Sequence, residues 1–192
     1  MNRFVPFLKT WIIFATSMTL VCGIIYVTVQ QNYRLSANDP QLQLAGDAAV
    51  ALSKGADPKT LAGNQSVEIS ESLSAYLVIY DTAGHQLASG ANLNGIPLRI
   101  PAGVITYVTK NGKDAATWQP APGVRQAMVG VLSPGQHRFI AFSGRSLSIV
   151  EERINLLRKQ VLLGWIVSLI GIAFVQFLLN AIETKFRISE NL

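Results

Sequence analysis

The sequence predicts an α+β domain held between two membrane-spanning helices, and two observations lead to that fold class. Two apolar runs without charged residues lie near the ends of the 192-residue chain, and each is long enough to cross about 30 Å of hydrocarbon. Between them, one helical segment precedes a series of short strand-like segments separated by turns. An antiparallel sheet with a helix packed on one face is the economical way to bury these segments, which defines the α+β class.

The two apolar runs extend from Thr10 to Tyr33 and from Gln160 to Ile182, and neither contains Lys, Arg, Asp or Glu. A charge near the middle of a bilayer costs about 2.5–3.5 kcal/mol, so the runs indicate membrane spans. A cleavable signal peptide is the alternative for the first run, because Arg3 and Lys9 lie beside its start. Its apolar stretch is longer than usual and no clear cleavage site follows, so we expect an uncleaved anchor.

Composition argues against several function classes. The net charge is +5, but there is no basic stripe, so no nucleic-acid partner is expected. The single cysteine, Cys22, lies within the first apolar run, so the central region has no disulfide or thiol chemistry. No catalytic motif, phosphate-binding glycine loop or metal-ligand cluster is evident. We therefore expect neither enzymatic activity nor a cofactor.

The central region begins with a helix. Asn38 or Asp39 caps it, Pro40 is tolerated in its first turn, and an apolar face continues to about Ser53 before Gly55 ends it. Residues 75–80 then form a strand by composition, 81–84 a turn and 86–89 the returning strand of a hairpin.

Residues 101–112 are ambiguous. Their β-branched residues and the Asn111-Gly112 pair favour a strand with a tight turn, whereas Pro101 and the apolar spacing favour a short helix closed by Gly112. Three strands follow at residues 115–119, 125–132 and 138–143, with loops at 120–123 and 133–135.

The C-terminal helix starts at Ser148, where Glu151 completes a capping box, and no proline interrupts it. Its helix-packing residues follow spacings of three and four: Leu147, Val150, Ile154, Leu157, Val161, Gly164, Ser168 and Gly171. The first span offers a matching small-residue series in Ala15, Thr19 and Gly23. Three contacts remain open for this seam, namely the domain's own sheet, the other span of the same chain, or a homodimer.

Several short segments resemble the extracytoplasmic sensor region of bacterial sensor histidine kinases. They are Ser36-Ala37-Asn38-Asp39-Pro40-Gln41, Thr117-Trp118-Gln119-Pro120, Gly123-Val124-Arg125-Gln126-Ala127-Met128-Val129, and Gly144-Arg145-Ser146-Leu147 followed by Val150-Glu151-Glu152-Arg153. The resemblance covers roughly residues 11–182. It implies a PAS-like fold, a domain outside the cytoplasm and a short helix at 101–112.

The resemblance implies the organisation of the chain in the bacterial inner membrane. We expect a cytoplasmic tail at 1–10, a transmembrane helix at 11–33 and an extracytoplasmic PAS-like domain at 34–147. A helix at 148–182 continues into the second span, and a cytoplasmic tail follows at 183–192. The chain departs from the family because about ten residues follow the second apolar run, too few for a kinase. The expectation is a detector without a transmitter, or a truncated kinase fragment.

The candidate ligand-binding residues are Trp118, Arg125 and Arg145. Trp118 lines a ligand cavity or belongs to the core. Each arginine borders a strand, where it clamps an anionic ligand or pairs with a nearby acidic residue (Asp81, Glu151 or Glu152).

His85 and His137 lie at turns without Cys or carboxylate ligands at metal-binding spacing. We expect ordinary surface histidines and no metal site.

The leading hypothesis is a membrane-anchored, non-enzymatic sensory or regulatory protein. It detects a ligand or protein and relays the change through its spans in the lipid bilayer to a membrane signalling partner or a second copy. The alternative is a structural or accessory subunit that docks on a membrane enzyme or transporter. A polar cavity of a few hundred Å³ favours the first hypothesis, and a large exposed apolar patch on the domain favours the second.

Overall fold

A computed structural model of the chain describes residues 4–63, 66–136 and 138–190. The helices are α1 (Phe4–Ser36), α2 (Asp39–Ser53), α3 (Pro58–Ala62), α4 (Ala102–Asn111) and α5 (Ser148–Glu190). The strands are β1 (Val67–Glu68), β2 (Tyr76–Asp81), β3 (Gln86–Ser89), β4 (Ala91–Leu93), β5 (Ile96–Pro97), β6 (Lys113–Ala121), β7 (Val124–Leu132) and β8 (Phe139–Ser146). The chain divides into two compact units, Tyr33–Glu152 and the pair Met1–Asn32 with Arg153–Leu192.

The central unit is built on a five-stranded antiparallel sheet with the order β3-β2-β8-β7-β6. A smaller three-stranded sheet, β1-β4-β5, accompanies it. The predicted fold class is confirmed, because the chain is α+β, with antiparallel sheet and flanking helices between two long apolar helices.

The two faces of the five-stranded sheet carry separate apolar cores, because successive side chains of a strand point to opposite faces. Helix α2 covers one face, with a core of Ala48, Ala49, Leu52, Leu77, Ile79 and Ala141. Helix α4 and the segment that precedes β2 contribute to the other core, whose members include Ile69, Tyr76, Val78, Tyr80, Ile105, Val108, Met128, Ile140 and Phe142. We call these the α2 face and the α4 face.

The ambiguous segment at 101–112 is a helix, as the resemblance implied. Ile105 and Val108 bury one side of α4, and Gly112 ends the helix with φ of 84°. Gly130 allows the helix to approach the sheet, because a Cβ at that position would overlap the Phe142 ring and approach Val108 too closely. The tertiary contact therefore decides between two local patterns of similar strength.

Several local predictions differ from the structure. The capping box at Ser148 is wrong, because Glu151 binds Arg125 and the Ser148 N–H donates to the Ser146 hydroxyl. The last strand is Phe139–Ser146 rather than 138–143, and Pro120 and Ala121 belong to β6 rather than to a loop. Strands β1, β4 and β5 have two or three residues each, too few for a periodic signal.

In the unit formed by the chain ends, α1 and α5 are linked by a hydrogen bond in which Trp165 Nε1 donates to Thr19 Oγ1 at 2.9 Å. The half-buried stripe of α5 in this unit contains Ile154, Leu157, Val161, Trp165, Ser168 and Ile172. The average spacing of these residues is the 3.6 residues per turn of a straight α-helix rather than the 3.5 of a heptad.

The predicted seam and the observed stripe therefore separate partway along α5. Gly164 and Gly171 are exposed, and a Cβ added to either would meet nothing within 4 Å. Of the other predicted seam residues, Leu147 is buried, and Val150, Ile154, Leu157, Val161 and Ser168 are half-buried. Their role in helix packing stays a prediction.

Two helical stretches, Phe7–Ser53 and Ser148–Ile182, are long and apolar enough to cross a membrane. The most apolar window of each has a mean hydropathy of 2.2 and 2.4, respectively, and only 6% of it is buried. Large apolar side chains such as Ile24 and Leu163 are about two-thirds exposed, at 66% and 65%. Surface of this kind is unfavourable in water and suits a lipid environment.

Candidate functional site

Two buried polar groups lie on the α4 face, at the end of the sheet where β8 runs into α5. They are the Tyr76 hydroxyl and the Gln126 side-chain oxygen, and neither has a hydrogen-bond partner among the described protein atoms. Only 3% of Tyr76 and 1% of Gln126 is exposed. Because buried polar groups are normally hydrogen-bonded, this region, called the polar end below, is the candidate functional site.

The register of the sheet places the two residues on the same face and at the same end, with β8 between their strands. Tyr76 pairs with Gly144, which pairs with Met128, and Gln126 is the next residue of β7 on the same face. The Tyr76 ring lies directly over Gly144, since a Cβ there would overlap Oη and Cζ of the tyrosine. Burial raises the pKa of the Tyr76 hydroxyl well above its ordinary value of 10, so it stays neutral and able to donate.

A strap formed by residues 66–75 closes the polar end. Gln126 Nε2 donates to the Ile69 carbonyl at 3.2 Å, and Arg145 Nε donates to the Leu73 carbonyl at 2.9 Å. Ile69 is buried, and its own N–H donates to the Asn92 carbonyl. The strap is joined to β4 by the short parallel pairing of β1, in which the Val67 and Ile69 N–H groups donate to the Gly90 and Asn92 carbonyls, and to β7 and β8 by one side-chain hydrogen bond each.

The structure does not gather the three candidate ligand-binding residues at one place. Trp118 is half-buried, lies opposite Gln126 and packs against the α4-face core. Arg125 and Arg145 are exposed and, by strand alternation, belong to the α2 face. Arg145 pairs with Ala127 of β7, and its side chain is the one that donates to the Leu73 carbonyl of the strap. Only Trp118 adjoins the polar end directly, and ligand binding by any of the three stays a prediction.

The first turn of α5 is fastened to β7. The Arg125 guanidinium forms an ion pair with the Glu151 carboxylate, and the Leu147 N–H donates to the Arg125 carbonyl at 2.9 Å. Only Leu147 separates β8 from α5. The pair is partly exposed, with 44% and 39% of the two side chains accessible, so its net contribution to stability is small. Its consequence is positional, because it fixes where α5 begins relative to the sheet.

A second polar feature lies at the opposite end of β2. Asp81 accepts a hydrogen bond from the His85 N–H at 2.8 Å, and the His85 ring Nδ1 lies 2.9 Å from its other oxygen. Among the described residues, no cluster of three or more His, Cys, Asp or Glu is arranged to hold a metal ion. His137 lies outside the described residues.

Beside this turn is a groove of about 350 Å³, lined by Thr82, Ala83, Gly84, Ala102, Ile105, Thr106, Thr109 and Lys110. The Thr106 and Thr109 hydroxyls donate to carbonyls of their own helix. The charged residue in the lining of the groove is Lys110, which is exposed. The groove therefore offers volume, whereas the polar end offers buried groups that lack partners.

On the α2 face, both polar atoms of the Gln41 amide and the Ser143 hydroxyl are also buried without partners among the described protein atoms. Gln41 belongs to the first turn of α2 and is fully buried. This set has no bond to the strap or to α5 among the described contacts.

Sequence reasoning missed Tyr76 and Gln126. The available signal was a glutamine inside the apolar run of β7, at a position whose alternation with Met128 requires burial. Tyr76 carries no comparable signal, because a tyrosine at the start of an apolar strand is ordinary.

The chain is similar to a solved structure, the crystal structure of the E. coli DcuS sensor domain. The identity is 12%, the TM-score is 0.41, and the match covers 67% of this chain and 98% of that chain. No protein-family model and no curated protein matches the chain. Because the likeness is this remote, the fold class stands on the sheet topology, and the functional proposal stands on the site.

Proposed function

We propose that the chain is a membrane-anchored, non-enzymatic sensory protein of the bacterial inner membrane. Its sheet domain lies outside the cytoplasm and binds a small ligand at the polar end. Helix α5 carries the resulting change toward a signalling partner in the membrane. Gln126, Tyr76 and Trp118 form the ligand site in this proposal, in place of the anion clamp that the sequence predicts for Arg125 and Arg145.

One observation carries the proposal, namely that Arg125 and Gln126 are consecutive residues of β7. Gln126 faces the polar end with an unpartnered oxygen, and Arg125 faces the other way and binds the first turn of α5. A ligand that displaces or immobilises the Gln126 side chain therefore also affects the main chain of Arg125, the preceding residue. The ligand site and the exit helix are therefore joined by a single peptide unit.

The chemistry of the site supports an uncharged ligand. Among the described residues, no Asp, Glu, Lys, Arg or His is buried, and a buried charge without a counter-charge is strongly unfavourable. The Gln126 oxygen requires a donor, and the Tyr76 hydroxyl donates or accepts. The expected ligand is a small neutral molecule with a hydroxyl or amide group and an apolar part that contacts Trp118.

The test is thermal unfolding of the full chain in lipid nanodiscs against a library of neutral and charged metabolites. A ligand at a hundred times its dissociation constant adds about 2.7 kcal/mol of stability, which is a shift of several degrees for a domain of this size. We expect a saturable shift from one class of neutral compounds. The shift disappears in Gln126→Leu and persists in Gln119→Leu, which makes the same change at an exposed position of β6.

Two results would overturn the proposal. If no compound stabilises the chain, a docking subunit becomes the better account. If the shift survives Gln126→Leu but is lost in Lys110→Ala, the ligand binds in the groove beside the β2–β3 turn rather than at the polar end.

A further inference from the structure

The five-stranded sheet has one short edge and one long edge. Strand β3 forms the first edge with four residues, Gln86–Ser89, and α3 packs against it. Strand β6 forms the second edge with nine residues, Lys113–Ala121. Long edges present unpaired N–H and C=O groups that pair readily with another strand.

The hydrogen-bond phase of the β6–β7 ladder identifies which main-chain groups face outward. The Leu132 N–H donates to the Gly112 carbonyl at 2.8 Å, and these residues are one step from the Lys113–Val131 pair. Alternation along an antiparallel ladder then directs the groups of Lys113, Ala115 and Thr117 away from β7. In the described part of the chain, no atom bonds to these three N–H groups.

We propose that β6 pairs with β6 of a second copy, antiparallel about a two-fold axis at Ala115. In this register Ala115 lies opposite Ala115 of the second copy, and Lys113 lies opposite Thr117. All three outward-facing residues find partners, and each pair exchanges two main-chain hydrogen bonds. The result is one continuous sheet across two chains.

Charge and size favour a second copy as the occupant. Lys113 faces Thr117 and Asp114 faces Ala116, so no like charges are opposed, and the two Lys113 residues lie about 14 Å apart along the strands at about 3.4 Å per residue. The residue on the axis is alanine, which permits close approach. Of the exposed residues of β6, Ala115, Thr117 and Gln119 are uncharged, and Lys113 carries a charge.

The ends of the edge limit the assembly to a pair of chains. Gly112 with its φ of 84° precedes the strand, and Pro120, which has no N–H, lies near its other end. A two-fold contact uses the same surface on both copies and closes on itself. The contact therefore forms a dimer rather than a fibre.

Disulfide mapping tests the register in the full chain in lipid vesicles, with Cys22→Ala removing the only native thiol. Directly opposed residues of a hydrogen-bonded pair have Cα atoms about 5.5 Å apart, within the span of a disulfide. We expect Ala115→Cys to cross-link with itself at least tenfold faster than Lys113→Cys, its control on the same strand. Equal rates for the two variants would overturn the proposal.

A charge swap provides the second measurement. Ala115 is exposed, so a charged side chain there should leave the single chain folded. Ala115→Lys and Ala115→Glu each oppose like charges on the axis, so each alone should lose most of the self-association seen by co-purification of two tagged copies. A mixture of the two variants should recover it. Equal association in all combinations, as expected for a contact made only by the membrane helices, would overturn the proposal.

Discussion

The buried Gln41 side-chain amide should lower the free energy of unfolding, because it lacks hydrogen-bond partners. It is fully buried in α2, and neither Oε1 nor Nε2 has a partner among the described protein atoms. An unsatisfied buried polar group costs about 1–3 kcal/mol. We therefore predict that Gln41→Leu raises the free energy of unfolding by about 1 kcal/mol or more.

The matched control is Gln43→Leu, which makes the same change at an exposed position of the same helix and should stay within about 0.5 kcal/mol of the parent. Urea unfolding of the three proteins in one detergent gives the comparison. A loss of stability in Gln41→Leu would show that the amide is hydrogen-bonded in solution.

Asp81 provides a pH-dependent contribution at the β2–β3 turn. The His85 backbone N–H, with its ring, holds the pKa of the Asp81 carboxyl below its ordinary value of 3.8. A carboxyl whose pKa is lowered by folding stabilises the protein above its unfolded pKa, and this stabilisation is lost as the pH falls through the lower, folded value. We predict that the parent exceeds Asp81→Asn in melting temperature at pH 6 and that the difference closes below about pH 3.8.

Differential scanning calorimetry from pH 6 to pH 2.5 measures that difference. Asp47→Asn serves as the control, since it removes the same charge from an exposed position of α2. A difference between parent and Asp81→Asn that is unchanged down to pH 2.5 would contradict the role assigned to the carboxylate.

At the scale of elements, the junction between β7 and α5 includes the Arg125–Glu151 ion pair. Both side chains are partly exposed, so a double-mutant cycle with Arg125→Ala and Glu151→Ala should give a coupling energy of about 0.2–1 kcal/mol. The same cycle with Glu152→Ala, the adjacent exposed acid, should give none. Urea unfolding measures both cycles, and equal coupling in the two would contradict the specific pair.

The contact between α1 and α5 includes the hydrogen bond from Trp165 Nε1 to Thr19 Oγ1. We predict that Thr19→Val destabilises the helix pair by about 0.6 kcal/mol, the average for interhelical side-chain hydrogen bonds in membranes, because the indole N–H loses its acceptor. Thr28→Val makes the same change at an exposed position of α1. Reversible unfolding in mixed micelles compares the two, and an equal loss in both variants would contradict the assignment.

Much of the element structure was predictable because it follows short-range patterns. The α2 helix, the β2–β3 hairpin and β7 each have local punctuation and a clear period, and they appear within a residue or two of their predicted bounds. Helix α4 required the resemblance, because its packing over Gly130 is a long-range contact. The capping box failed because Arg125, 26 residues away, binds Glu151.

The candidate site was less predictable than the elements. Trp118, Arg125 and Arg145 were selected by residue type, but which face each one occupies depends on strand register. The register between β6 and β7 shifts between Trp118 and Ala121, and no local sequence pattern predicts that shift. The polar end is defined by Gln126 and Tyr76, whose significance arises from burial without partners, a property of the packed molecule.

The whole molecule joins two compact units in one chain. The unit formed by the chain ends offers lipid a largely exposed apolar surface, and the central unit offers a polar end fastened to the start of α5. A sensor requires both a site and a connection between that site and the membrane. The consecutive residues Arg125 and Gln126 supply the connection within the central unit.

The most direct measurement is hydrogen exchange of the full chain in nanodiscs, with and without the neutral ligand that stabilises it. We predict slower exchange both in β7 around Gln126 and in the first turn of α5, where the Glu151 N–H donates to the Leu147 carbonyl and exchange reports local opening. Arg125→Ala should keep the protection in β7 and lose it in α5. Protection confined to β7 in the parent protein would contradict the relay and leave a domain that binds without signalling.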